Sequence, residues 1–314
     1  NELSSSIVIN GDALDEDILK EANLEGSETV LALTNDDENN MMACVLAEKT
    51  GLKKRTIAIV NKTNYNLLQD SLNIDDLDFV QEGLKITIQS IQNQTLKDFE
   101  VWIIDGNSSE QTQEYLKTQL PPFYFLSEKD DGIYDAMNKG ILKSKGEWLF
   151  FLGSGDVFSN DAVLANVFSS INKGYSLVSG KIIYSGNTRP FIYSKRKTLK
   201  KPTWSSAMWL KNGLHHQGTF YRRKLFLETT YNLTYKILSD YWFHVYLYKK
   251  KIPCQIVDLL ITNCNSDGVS KKGQWKIYQE EISLKTDLSS VYLAPLFYIL
   301  SIIKYSLRKI INVL

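Results

Sequence analysis

Asp156 is the residue of this 314-residue chain whose setting is hardest to explain by folding alone. It follows Trp148-Leu149-Phe150-Phe151-Leu152, which reads as a buried strand over 148–152, and it closes the turn Gly153-Ser154-Gly155. In an open α/β sheet, ligands gather outside the carboxyl ends of the strands, so a carboxylate there is placed to meet one. Asp105 repeats the arrangement, ending the strand pattern 99–104 and leading into Gly106-Asn107-Ser108-Ser109. Each acid also has a structural reading, Asp105 as a helix N-cap and Asp156 as a turn residue. Asp240 stands before Tyr241-Trp242-Phe243-His244. Burial beside those rings is expected to raise its pKa, and capping of the following helix is compatible with that. His215 and His216 are two of the three histidines, and a lone histidine pair is weak evidence for a metal.

These acids need elements to hold them. The stretch 127–156 carries an acidic loop, Ser127-Glu128-Lys129-Asp130-Asp131-Gly132, into a short helix ending at Gly140, then the strand before Asp156. Upstream, Leu84, Ile88 and Ile91 share a helical face over 84–94. A helix over 110–119 stops at Pro121-Pro122, and 123–126 forms a further strand. Residues 175–185 read as another strand. Residues 195–201 read as a basic loop, either solvated or meeting an acceptor phosphate. Before all this, strands at 7–9, 29–33 and 55–60 alternate with helices at 15–22, 39–50 and 64–72. That alternation predicts an α/β fold with a parallel sheet and right-handed crossovers.

A chain 43% hydrophobic and 23% charged is an ordinary globular composition, long enough for two domains. The 36 basic residues balance 36 acidic ones, so bulk charge gives no case for nucleic acid. Cys44, Cys254 and Cys264 are too few and too scattered for a disulfide framework or a zinc site. With no signal-peptide pattern at the start, a reducing, cytoplasmic setting is expected. The apolar run 291–303 contains Pro295, stops at Lys304 and falls short of the ~20 residues that span a bilayer. Lys304, Arg308 and Lys309 then alternate with apolar residues, as in a helix lying on a membrane surface or packed on its own domain.

Two resemblances add to this reading. Ile9-Asn10-Gly11-Asp12-Ala13, Leu31-Ala32-Leu33-Thr34-Asn35-Asp36-Asp37 and Ile57-Ala58-Ile59-Val60-Asn61-Lys62 resemble, in order, the nucleotide-binding domain of TrkA-type regulators of potassium uptake. The resemblance implies a truncated Rossmann-like lobe over 1–80, with nucleotide-pocket roles for Asp12, Thr34 and Asn35. That family seats a pyrophosphate on a GxGxxG turn. No such turn precedes these segments, so NAD binding is not expected and a lobe that only packs is the simpler outcome.

From about residue 84 the chain resembles family-two glycosyltransferases of the GT-A fold. The resemblance rests on Ser90-Ile91-Gln92-Asn93-Gln94-Thr95, Trp102-Ile103-Ile104-Asp105-Gly106-Asn107-Ser108, Gly132-Ile133-Tyr134-Asp135-Ala136-Met137-Asn138-Lys139-Gly140 and 146–156. It implies a Rossmann-like, mostly parallel sheet over 81–270; beyond it, the pattern of residues 271–314 reads as a helical segment, membrane-associated or packed on its own domain. By the same resemblance, Asp105, Asp130 and Lys139 meet a nucleotide-sugar donor. Asp156, the last acid of a motif reading Ser154-Gly155-Asp156, holds Mg²⁺ or Mn²⁺ against the diphosphate. His216 and Gln217 lie on the acceptor side, and Asp240 is the general base of an inverting transfer to a glycan or lipid-linked acceptor. The competing reading is a nucleotide-binding regulatory subunit of potassium uptake, or an inactive fusion.

Overall fold

A computed structural model of the chain describes residues 29–32, 55–58, 82–185, 198–265 and 274–313. The expected strand at 7–9, the helices expected within 15–72, and Asp12, Thr34 and Asn35 lie outside these residues. By packing, the chain divides into two units, residues 1–83 with 108–115, and residues 84–107 with 116–314. In the first unit, β1 (Thr29–Ala32) pairs in parallel with β2 (Arg55–Ala58), Thr29 opposite Arg55.

The second unit holds a six-stranded mixed sheet and a separate two-stranded one. α1 (Glu82–Gln92) precedes β3 (Val101–Asp105) and β4 (Phe123–Ser127), and between these strands runs α2 (Glu110–Lys117), most of which belongs to the first unit. β3 and β4 pair in parallel with Asp105 opposite Ser127. α3 (Ile133–Lys143) follows, then β5 (Trp148–Leu149), β6 (Val157–Phe158), α4 (Val163–Ser170), β7 (Leu177–Ser185), β8 (Leu199–Lys200) and β9 (Thr219–Arg222). α5 (Ser239–Lys249) and β10 (Cys254–Asn265) complete the sheet layer. The strand order is β5-β9-β7-β10-β6, with β8 on β7. The β7–β10 pair is parallel, whereas β5–β9, β9–β7, β10–β6 and β7–β8 are antiparallel. The sheet is therefore mixed around β7, where a mostly parallel one was expected.

Two further expectations change. The strand expected over 148–152 ends at Leu149, where the chain leaves β9 to reach the turn before Asp156. Phe150 is held by ring packing instead, with centroids 4.4 Å from Phe220 and 5.3 Å from Phe158. In the basic stretch, Leu199 and Lys200 form β8 rather than loop, and Lys200 Nζ donates to the Leu214 carbonyl at 2.8 Å.

The C-terminal part forms α6 (Trp275–Leu288) and α7 (Ala294–Val313). α7 turns Phe297 and Ser301 inward and exposes Leu296, Ile299, Ile302, Ile303 and Leu307, each at least 41% exposed. A surface helix normally does the reverse. Its Tyr305 packs edge-on against Trp275 and Tyr278 of α6. The helix runs on through Lys304, so Val291–Lys309 is, by length and composition, long and apolar enough to cross a membrane. The sequence reading, which ended the apolar run at Lys304, fell short there.

Candidate functional site

The site begins where β3 and β4 end together. Asp105, 8% exposed, accepts the Ser127 hydroxyl at 2.6 Å, and its carbonyl accepts the Glu128 N–H at 3.0 Å. Asp130 folds back over the same turn. One of its oxygens accepts the Gly132 N–H at 2.9 Å, and the other lies 2.7 Å from where a Cβ on Gly106 would stand. Glycine at 106 thus lets the two loops close up and brings Asp105 and Asp130 to one place. Lys139, expected at the donor, is turned to its own loop. It pairs with Glu128 at 3.0 Å and Asp135 at 3.3 Å and donates to the Lys129 carbonyl at 2.7 Å.

The turn at Asp156 is held from α1. The Thr87 hydroxyl accepts the Gly155 N–H at 3.0 Å and donates to the Asp156 carbonyl at 2.8 Å. Gly155 has φ +89°, a conformation costly for any residue with a Cβ. The Asp156 carboxylate is 3% exposed and accepts the Gly153 N–H at 3.1 Å and the Gln217 amide N–H.

Gln217 belongs to a 3₁₀ turn, His216–Gly218, that runs into β9. Buried hydroxyls of three strand residues hold this turn. Thr262 of β10 donates to the Gln217 carbonyl at 2.6 Å, and Thr219 donates to the His215 carbonyl at 2.8 Å. Ser179 of β7 lies 2.9 Å from the Thr219 hydroxyl and 3.3 Å from the Gly218 carbonyl. The turn presents neighbouring side chains to different acids. Gln217 meets Asp156, while His216 Nδ1 donates to Asp240 Oδ2 at 3.3 Å. Gln217, expected on the acceptor side with His216, is therefore on the Asp156 side.

Asp240 is not the cap of α5. The capping position is Leu238, and Asp240 lies inside the first turn, 8% exposed. Its Oδ1 accepts the Tyr241 N–H at 2.7 Å and lies 3.0 Å from the Tyr134 hydroxyl, which also reaches the Ile237 carbonyl at 2.9 Å. Its Oδ2 accepts from His216 and from Asn212 Nδ2 at 3.2 Å. Burial alone raises this carboxyl and is the largest single effect. The His216 hydrogen bond, followed by the His216 charge, outweighs it and holds the carboxyl below the usual carboxylate range. The expected raised value is thus reversed, because the aromatic surroundings come with hydrogen-bond donors. Tyr134 is pushed well up, by burial first and then by the Asp240 charge.

The acids fit only a cation that brings its own ligands. Among the described residues, no group of three His, Cys, Asp or Glu side chains comes together to hold a metal. Asp156 supplies hard carboxylate oxygen, which suits Mg²⁺ or Mn²⁺ that keeps waters or phosphate oxygens. A cavity of about 390 Å³ lined by Lys97, Phe99, Pro121 and Phe123 opens at the opposite ends of β3 and β4 and contains none of the acids. Sequence reasoning missed Asn212, Tyr134 and Thr87. The i,i+4 spacing of Asp240 and His244 was a visible signal that both lie on one helix face. Asn212 has no such signal.

Residues 80–251 match the family described as Glycosyl transferase family 2, and residues 2–77 match the TrkA-N domain. A PGL/p-HBAD biosynthesis glycosyltransferase of Mycobacterium bovis is 33% identical over 175 residues, 52% of this chain and 63% of that protein. The chain thus spans less than two thirds of that curated relative. The Trk system potassium uptake protein TrkA of Azorhizobium caulinodans is 44% identical over 73 residues, 23% of this chain and 16% of that protein. Among solved structures, S. aureus TarS 1-349 is similar over 74% of this chain and 87% of that chain, with a TM-score of 0.49 and 14% identity.

The lowered pKa of Asp240 sets a pH dependence. Its folded value lies below the unfolded value of about 3.9, so its contribution to stability is complete above that pH and is lost as pH falls through the folded value. The unfolding free energy of the wild type relative to Asp240→Asn should therefore not narrow between about pH 8 and pH 5, and should narrow below about pH 4. A gap that already closes between pH 8 and pH 5 would mean a raised carboxyl.

Proposed function

The chain belongs to glycosyl transferase family 2, and from that premise we propose that it moves a sugar from a nucleotide-sugar donor to a hydroxyl of a glycan or lipid-linked acceptor. The observation that carries this reading is the His216–Gly218 turn, which reaches Asp156 on one side and Asp240 on the other. Asp105 and Asp130 receive the nucleoside part of the donor at the ends of β3 and β4. Asp156 faces the diphosphate. A divalent cation bound there offsets charge on the leaving phosphate.

Asp240 is the general base. Its Oδ2 accepts its two longest hydrogen bonds, at 3.2 and 3.3 Å, so the acceptor hydroxyl displaces the His216 contact there. As the hydroxyl oxygen bonds to the anomeric carbon, its proton passes to Asp240 and the bond to the nucleoside diphosphate breaks, with inversion. A low carboxyl pKa gives a weak base, and proton transfer then runs late, as the attacking oxygen becomes acidic. In this reading residues 81–270 are the transferase domain, and residues 1–80 are a TrkA-like lobe without a part in transfer.

The C-terminal helices meet the cytoplasmic face of a membrane. The aliphatic stripe of α7 is exposed and is followed by Arg308 and Lys309, a combination that suits an anionic bilayer surface.

Two measurements test this reading. In a panel of UDP-glucose, UDP-galactose, UDP-N-acetylglucosamine and GDP-mannose with Mn²⁺, at least one donor should stabilise the protein to heat and release its nucleoside diphosphate. Asp240→Asn should lower that release at least about a hundredfold and spare donor binding. Stabilisation by NAD or ATP and by no sugar nucleotide would favour the regulatory reading instead. In sedimentation with vesicles, the protein should pellet with phosphatidylglycerol vesicles and not with phosphatidylcholine alone. Ile299→Glu with Ile303→Glu should abolish this. A monomer–dimer equilibrium removed by the same substitutions, with no vesicle binding, would mean that a second copy covers the stripe.

A further inference from the structure

Asp240 and His244 lie four residues apart on α5, on one helix face. Asn212, from the loop before the His216 turn, connects them. Its Nδ2 donates to Asp240 Oδ2 at 3.2 Å, and its Oδ1 lies 2.9 Å from His244 Nδ1. The orientation of this amide is fixed independently, because the same Oδ1 accepts the Leu214 N–H at 3.3 Å. A carboxylate can only accept, so the nitrogen must face Asp240 and the oxygen must face His244. His244 Nδ1 therefore carries a proton. Its Nε2 is left to accept from the Tyr221 hydroxyl at 2.7 Å. His244 and Tyr221 are both fully buried.

We propose that His244 is a positioning residue for Asp240 and acts through Asn212. This rests on the reading of Asp240 as the general base. The relay runs in one direction, from Tyr221 O–H to His244 Nε2, from His244 Nδ1–H to Asn212 Oδ1, and from Asn212 Nδ2–H to Asp240 Oδ2. An amide can turn end for end in its pocket, and a turned Asn212 would set its oxygen against the carboxylate. The Nδ1–H of His244, the nearer of the two donors on Asn212 Oδ1, opposes that together with the Leu214 N–H. It makes the turned state place two donors against each other at one end and two acceptors at the other.

The position calls for a histidine and not merely for bulk. Its neighbours Phe243, Val245 and Leu247 on α5 are buried and apolar. An imidazole among them is tolerated because both of its nitrogens have partners. Burial, the largest effect, keeps the ring neutral, with its pKa lowered to about 3. A neutral ring supplies one donor and one acceptor, as the relay requires. The other groups facing Asp240 are Tyr134 from α3 and His216 from the 3₁₀ turn. Neither touches Asn212 in a way that would fix the amide. Loss of the relay should misaim Oδ2 without altering the donor pocket, which moves turnover and not donor affinity.

The test combines a spectroscopic readout with a kinetic one on the full chain. Long-range ¹H–¹⁵N spectra of the labelled wild type should show one of the three histidines neutral from about pH 8 to pH 5, with its proton on Nδ1. That signal should vanish in His244→Phe. With the four sugar nucleotides named above and Mn²⁺, His244→Phe should lower kcat for nucleotide release about ten- to a hundredfold, with KM for the donor within about twofold. His244→Asn keeps a donor near the Nδ1 position and should recover most of kcat. A wild-type His244 protonated on Nε2 overturns the proposal. So does wild-type kcat in His244→Phe, or a His244→Asn variant as slow as His244→Phe. Should His244→Phe fail to fold, the wild-type tautomer and the kcat of Asn212→Ser decide, the latter expected to be lowered similarly. Undiminished kcat in Asp240→Asn would remove the base reading, and the tautomer would still report on the relay.

Discussion

The arrangement of acids proposed as the site depends on one short turn, His216–Gly218, and on the hydrogen bonds that hold it. Consecutive side chains of the turn contact Asp156 and Asp240, residues 84 positions apart in the sequence. The carbonyls of Gln217 and Gly218 in the turn, and of His215 just before it, accept from buried hydroxyls of Thr262, Ser179 and Thr219, which would otherwise be unfavourable inside a sheet. Polar residues in β7, β9 and β10 are therefore explained by the turn, and the turn by the two acids. The parallel pair β7–β10 supplies a firm base for it.

A second set of contacts joins the C-terminal helices to the loop behind Asp240. Glu281 on α6 pairs with Lys285 and with Lys304 of α7, and both lysines reach the Leu210 carbonyl. Leu210 stands two residues before Asn212. Lys285 also lies over the rings of Tyr241 and Phe297, at 5.6 and 5.8 Å. Burial lowers its pKa to about 8. Such a buried ionic group is costly unless every member is paired, so its value lies in fixing one arrangement of these elements. α7 thus turns Lys304 inward, to the loop carrying Asn212, and its aliphatic side outward.

Most of the acids were legible in the sequence because their neighbours announced them. Asp105 and Asp156 follow apolar runs and precede glycine-containing turns, and both are found buried beside such turns. Asp240 was legible by its aromatic neighbours, but those gave the wrong sign for its pKa. The reason is physical. Burial is encoded by nearby apolar residues, while the donor that opposes it, His216, comes from a turn in a separate segment, as do the other side chains on the carboxylate, Asn212 from the loop before that turn and Tyr134 from α3. The same limit hid Thr87, whose hydroxyl meets a turn nearly seventy residues away. Strand 148–152 was overread for a related reason: an apolar run marks packing but not ladder pairing, and Phe150 is half-buried, stacked on Phe158 and Phe220.

The central claim is that donor chemistry and proton transfer meet at the two ends of the His216–Gly218 turn. The most direct measurement is manganese anomalous diffraction from crystals of the full chain grown with UDP and Mn²⁺. The account predicts a manganese peak in coordination contact with Asp156 and the UDP phosphates, the nucleoside against Asp105, and His216 still on Asp240. UDP with its manganese away from Asp156, or UDP held by the first 80 residues, would contradict it.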